Sequence, residues 1–133
     1  MSEEKLYTVE EANVMLPWVV EQLGIAAEAA DRLSEARSDQ AELEGLSRSN
    51  GHGDIDSRLS DVRADARRAL DALRSVLDEF EARGIPVRDV DSGLIDLPGE
   101  RDGKKVWLCW RMGEPEVGYW HEANTGFIDR QPL

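Results

Sequence analysis

The side chains best suited to chemistry gather near the C-terminus. Five of the eight aromatic residues, Trp107, Trp110, Tyr119, Trp120 and Phe127, fall there beside Cys109, Arg111, Glu114, Glu116, His121, Glu122, Asp129 and Arg130. Aromatic walls with a few orienting polar groups are what a small-ligand pocket requires, and equally what the core of a small domain contains. His121 is the sharpest of these residues. An imidazole next to Glu122 and shortly after Glu114 and Glu116 could ligate a divalent ion such as iron, manganese or zinc, or act as a general base oriented by a carboxylate. As a structural residue it would need only satisfied hydrogen bonds. A facial triad wants a second histidine, and His52 sits in a distant polar tract.

The other candidates each admit two readings. Cys109 could be a nucleophile paired with His121, or a small buried hydrophobe between two tryptophans. Asp96 interrupts the apolar run Leu94-Ile95-Asp96-Leu97, so it is either an exposed edge residue or an inward carboxylate awaiting a partner such as Arg111. Arg111 with Glu114 and Glu116 makes a substrate clamp or an internal ion-pair network. Glu11 and Asn13 could reach the C-terminal segment if the start of the chain packs on it. Otherwise Glu11 is a cap and Asn13 is surface. No phosphate-cradling glycine loop, HExxH or nucleophile elbow is present.

Two helical arms must carry this segment. Thr8 followed by Glu11 forms a capping box, so a helix begins near Val9. Pro17 removes a backbone donor, which predicts a kink or short break near Leu16. Leu16, Val19, Leu23, Ala26, Ala30 and Leu33 then recur at steps of three and four, defining a first arm over 8–44. Gly45 to Asp54 gathers turn residues and predicts a tip loop over 45–55. Leu59, Val62, Ala66, Ala69, Leu73, Val76 and Phe80 mark a second arm over 56–83, closed by Gly84 at C′, Ile85 at C″ and Pro86. Pro17 to Glu44 and Asp56 to Arg83 are 28 residues each, about 42 Å of helix.

Residues 84–133 change period. Ile85–Val90, Leu94–Leu97 and Lys104–Arg111 read as short strands, the last two joined as a hairpin, with an ordered C-terminal segment after them. The expected fold is α+β in one domain: a coiled-coil-like antiparallel helical hairpin, then a small antiparallel β-hairpin or meander. Two helices bury one seam only, so the C-terminal segment or a second copy must cover them, which predicts a homodimer assembled through the helices.

Composition limits the partners. With 28 acidic and 16 basic residues in 133, the net charge of −12 repels phosphate backbones and disfavours nucleic acid. Arg63, Arg67, Arg68 and Arg74 alternate with Asp61, Asp65, Asp71 and Asp78, the pattern of an ion-paired solvated face. No run approaches the roughly 20 apolar residues of a membrane span. The first residues lack the features of an export signal, and one cysteine excludes an intrachain disulfide, so a cytoplasmic location is expected.

Tyr7-Thr-Val-Glu-Glu-Ala-Asn13 with Leu16-Pro17, Gly93-Leu-Ile-Asp-Leu-Pro98, Leu108-Cys-Trp-Arg-Met-Gly-Glu-Pro115, Tyr119-Trp-His121 and the terminal Arg130-Gln-Pro-Leu133 form a distinctive set. They resemble a family of small bacterial and archaeal proteins catalogued as a domain of unknown function, number twenty-two-zero-three. The resemblance spans nearly the whole chain. It implies the architecture above and directs attention to Asp96, Cys109, Arg111, Glu114 and His121 without assigning roles. The leading expectation is a metal- or small-ligand-binding module using His121, Glu114, Asp96 and Glu122, supported by Arg111, Cys109 and Glu11. The rivals are an interaction module assembling through its hairpin and a metal-dependent enzyme.

Overall fold

The computed structural model describes residues 4–50 and 53–133. Helix α1 runs Val9–Asn50 and helix α2 runs Gly53–Ala82. The strands are β1 (Val87–Asp89), β2 (Leu94–Arg101), β3 (Lys104–Arg111), β4 (Tyr119–Glu122) and β5 (Gln131–Pro132). All neighbours are antiparallel and the sheet order is β1-β2-β3-β4-β5, a meander. The protein is therefore α+β, a helical hairpin followed by a five-stranded sheet.

Local chemistry sets the helix ends. The amide of Thr8 donates to Glu11 Oε1 and the amide of Glu11 to Thr8 Oγ1, each at 3.0 Å, which completes the capping box. At the other end Gly84 takes φ +72°. The amide of Ile85 then donates to the Phe80 carbonyl and that of Gly84 to the Glu81 carbonyl, a Schellman closure.

The short break offered near Leu16 and the tip loop over 45–55 are both corrected. Helix α1 is unbroken through Pro17. Pro17 lies on the exposed face, where water can meet the carbonyl it leaves without an amide four residues earlier. The tip is also far shorter than 45–55, because α1 continues through Gly45 to Asn50 and α2 already starts at Gly53. A glycine inside a helix costs only about 1 kcal/mol. Half-buried Leu43 and Ile55 and buried Leu59 extend the seam far enough to offset it. His52, read as part of that loop, falls outside the described residues.

The core joins helices to sheet. Ala12, Leu16, Val19, Leu23 and Ala26 of α1 and Val76 and Phe80 of α2 pack with Ile95, Leu97, Leu108, Trp110 and Val117. Farther out, Ala29, Leu33 and Ala36 are buried between the arms, with Ala29 rather than Ala30 on the innermost line. The arginines of α2 do pair on the surface, Arg68 with Asp65 and Arg63 with Glu44. Among the described residues no helix is long and apolar enough to cross a membrane.

Strand β2 does not stop at Leu97, as the sequence pattern suggests, but runs on through Pro98 and Gly99. Proline is tolerated there because the β1 partner stops at Ile95 and Pro98 has its amide side on a free edge. Its carbonyl accepts from the amide of Tyr7 at 2.7 Å. The turn itself is Asp102-Gly103, with φ +54° and +79°, and Arg101 pairs with Lys104. Positive φ at both central residues is the primed two-residue turn that suits hairpin twist.

Candidate metal centre

Alternation along the strands gives the sheet two faces. Ile95, Leu97, Leu108 and Trp110 face the helices, which turns Asp96, Trp107, Cys109, Tyr119 and His121 to the other side. Asp96 on β2 pairs with Cys109 on β3, and Cys109 pairs with Tyr119 on β4. His121 pairs with Trp107, one step along, and leans across β3 toward β2. Cys109 is small enough to lie beneath it.

The result is a buried cluster. Asp96, Cys109 and His121 are 3%, 0% and 1% exposed, and one ligand atom from each lies within 4.8 Å of the other two. His121 Nε2 is 3.0 Å from Asp96 Oδ1, and His121 Nδ1 is 2.9 Å from the Glu122 carbonyl oxygen. A carbonyl only accepts, so Nδ1 carries a hydrogen. Nε2 therefore faces the carboxylate with a lone pair unless something positive lies between them. That something is a proton or a metal ion.

Each donor is also held from behind. Arg88 donates from Nε to the second oxygen of Asp96 at 2.9 Å. The Glu122 carbonyl fixes the imidazole. Arg130 brings Nη1 to 4.0 Å from Cys109 Sγ. Outer groups that orient the ligating atoms in this way are a regular feature of metal sites. The arrangement is not a nucleophilic triad, because both imidazole nitrogens are engaged away from sulfur. Burial, and next the Asp96 carboxylate, push the Cys109 thiol up to about 12, which leaves little thiolate at neutral pH.

Arg130 is itself clamped. It makes a bidentate pair with Glu114 at 3.0 and 2.7 Å. Its guanidinium also stacks on Tyr119 at 4.0 Å and on Phe127 at 4.2 Å. Glu114 accepts from the Arg111 amide at 2.8 Å as well. Burial alone would raise the Glu114 carboxyl, but the hydrogen bonds from Arg130 and the Arg111 amide outweigh it and hold the group below its ordinary range.

The profile of the family described as "Uncharacterized conserved protein (DUF2203)" matches residues 5–133. The chain belongs to the DUF2203 family. No curated protein and no solved structure matches it.

In this DUF2203 protein the residues singled out from sequence separate into three groups. Asp96, Cys109 and His121 come together in the cluster. Glu114 lies on the far side of Arg130, and Glu122 gives its carbonyl while its exposed side chain lines a cavity of about 580 Å³ with Arg101, Lys104 and Trp120. Glu11 serves as the cap. Asn13 does reach the C-terminal segment, where its Oδ1 accepts from the Val117 amide at 2.7 Å. The partner of Asp96 is not Arg111, which is exposed and sits over the Phe127 ring. It is Arg88, a residue the sequence reading overlooked. Counting back through the Val90–Gly93 turn would have set Arg88 near Asp96 across the β1–β2 hairpin. Arg130 was noted only as one polar residue among many, with nothing to show that the chain end folds back over Cys109.

Proposed function

We propose that this protein is a metal-binding module whose site is formed by Asp96, Cys109 and His121. The observation that carries the reading is the convergence of three different ligand types within 4.8 Å on a buried sheet face. Sulfur, imidazole nitrogen and carboxylate oxygen are the donors that bind divalent transition ions, and the imidazole already donates its other N–H to a carbonyl. An enzyme would need an open coordination position within reach of substrate, and the burial of all three donors lends that reading no support.

Elemental analysis of tag-free protein tests the proposal, with wild type beside His121→Ala and Asp96→Asn and each variant checked for folding by circular dichroism. Near-stoichiometric metal in the wild type, lost in folded variants, is the expected result. Wild type that stays metal-free after incubation with excess Zn2+, Mn2+ or Fe2+ would defeat it.

A second reading concerns assembly. The residues sharing a core with the sheet end at Ala26 on α1, and beyond that point the arms cover only one another, with Leu46 still 44% exposed. A second copy packed along this distal part would supply the missing cover. Light scattering on Leu46→Glu tests it. A change from dimer to monomer is expected, and wild type that is already a monomer ends this reading.

A further inference from the structure

Building on the metal site proposed above, we infer that the ion it takes is of the thiophilic, zinc-like class. Cys109 sets that preference, and Arg130 is the positioning residue that holds its sulfur. The first argument is donor chemistry. Imidazole with carboxylate alone suits manganese and iron as well as zinc, whereas a thiolate moves the preference toward softer ions.

The second argument is charge. All three donors are nearly free of solvent, where an uncompensated charge is costly. A dication bound by Asp96 and neutral His121 alone would leave a net positive centre in that environment. With Cys109 as thiolate the centre is neutral, the thiol proton passing to solvent as the sulfur–metal bond forms. The remaining cations need no help from the centre, since the Arg88 side chain is 44% exposed and Arg130 is paired with Glu114.

The third argument is the placement of Arg130. It reaches the sulfur from the chain end, over the same sheet face, while its other contacts on Glu114, Tyr119 and Phe127 fix the direction from which it approaches. An N–H directed at a metal-bound thiolate steadies it without displacing it. Arg130 thus stands to Cys109 as Arg88 does to Asp96 and as the Glu122 carbonyl does to His121.

The test is titration of chelator-treated, full-length protein with Co2+ and then Zn2+, for wild type, Cys109→Ser, His121→Gln and Arg130→Ala, each checked for folding by circular dichroism. Cys109→Ala stands in if the serine variant fails to fold. Wild type should show a thiolate-to-cobalt charge-transfer band in the near ultraviolet together with visible bands of the bound ion, both bleached by stoichiometric Zn2+. Cys109→Ser should lose the near-ultraviolet band and more Zn2+ affinity than the roughly 10–100-fold that loss of an outer group costs. Arg130→Ala should keep both bands, shift the charge-transfer band and weaken Zn2+ by about 10–100-fold. His121→Gln should weaken both ions. Visible bands without the thiolate band in wild type would overturn this inference and leave the metal site standing. Unchanged spectra and affinity in Arg130→Ala would remove Arg130 from it. Folded wild type that binds neither ion would defeat the underlying proposal as well.

Discussion

His121 and Asp96 meet at 3.0 Å although their strands are not neighbours: β4 carries one, β2 the other, and β3 runs between them. Adjacent strands lie about 4.8 Å apart, so the imidazole spans a full intervening strand, over the one position where β3 offers only a thiol. The contact ties β2 to β4 independently of the backbone ladders.

That relationship separates two substitutions at position 96 in metal-free protein. Asn can keep its oxygen on Arg88 and turn its amide N–H toward His121 Nε2, which satisfies every group. Asp96→Asn should therefore cost less than about 1 kcal/mol, whereas Asp96→Ala strips both partners and should cost about 3 kcal/mol. Urea unfolding with chelator present measures both. Equal losses would mean that the negative charge, and not the hydrogen-bond count, holds the pair.

Glu114 gives a pH signature. Its carboxyl is held below the ordinary range when folded, so the folded state binds fewer protons than the unfolded state in that range. Its contribution is complete above the unfolded value near 4.3, and it is lost as pH falls through that value toward the folded one. Glu114→Gln should destabilise by about 1–2 kcal/mol at pH 7, and the gap from wild type should narrow as pH falls below the unfolded value. A gap that is constant from pH 7 to pH 3 would show that the carboxylate charge is not what Arg130 needs.

Much of the frame was legible because it depends on neighbours in sequence. The Thr8–Glu11 box and the Gly84 closure are decided within a few residues and occur as read, and the heptad stripe of α1 differs from its reading in carrying Ala29 rather than Ala30 on the inner line. Gly45 and Pro98 misled for one reason. Each weakens its element locally, and each is outvoted by contacts that local reading does not see, the seam between the arms in one case and the free edge beside Tyr7 in the other. The candidate cluster was half legible. Asp96 and Cys109 advertise themselves as polar interruptions of apolar strands, and His121 as the sole histidine of the segment. That Arg88 and Arg130 stand behind two of them depends on strand register and on the return of the chain end, which single residues do not announce.

Glycines at two turns should respond unequally. Gly93 and Gly103 both hold positive φ, +68° and +79°. A Cβ at Gly103 meets nothing within 4 Å, so Gly103→Ala should cost only the backbone strain, about 1–2 kcal/mol. At Gly93 the added carbon would lie 2.7 Å from Met112 Cβ, with Leu23 also close, so strain and clash combine to about 3 kcal/mol or more. Thermal unfolding of the two variants ranks them, and the reverse order would mean that the Val90–Gly93 turn relaxes more readily than its packing suggests.

Cys109 reports on the chain end that covers it. The thiol is fully buried, and burial raises it to about 12, so an aromatic disulfide reagent should react with native protein only through opening. The segment above it is lightly held: β5 is two residues long, Leu133 adds one amide bond to the Gly118 carbonyl, and Ile128 is 92% exposed. Arg130, clamped by Glu114 and two rings, is its main anchor. Arg130→Ala should therefore speed labelling of metal-free protein about tenfold or more, as expected for loss of roughly 1.4 kcal/mol from the opening equilibrium, while the urea midpoint moves much less. If labelling keeps pace with global unfolding in both proteins, the segment opens only when the whole sheet does. If wild type labels at the rate of a free thiol, Cys109 is not covered in solution.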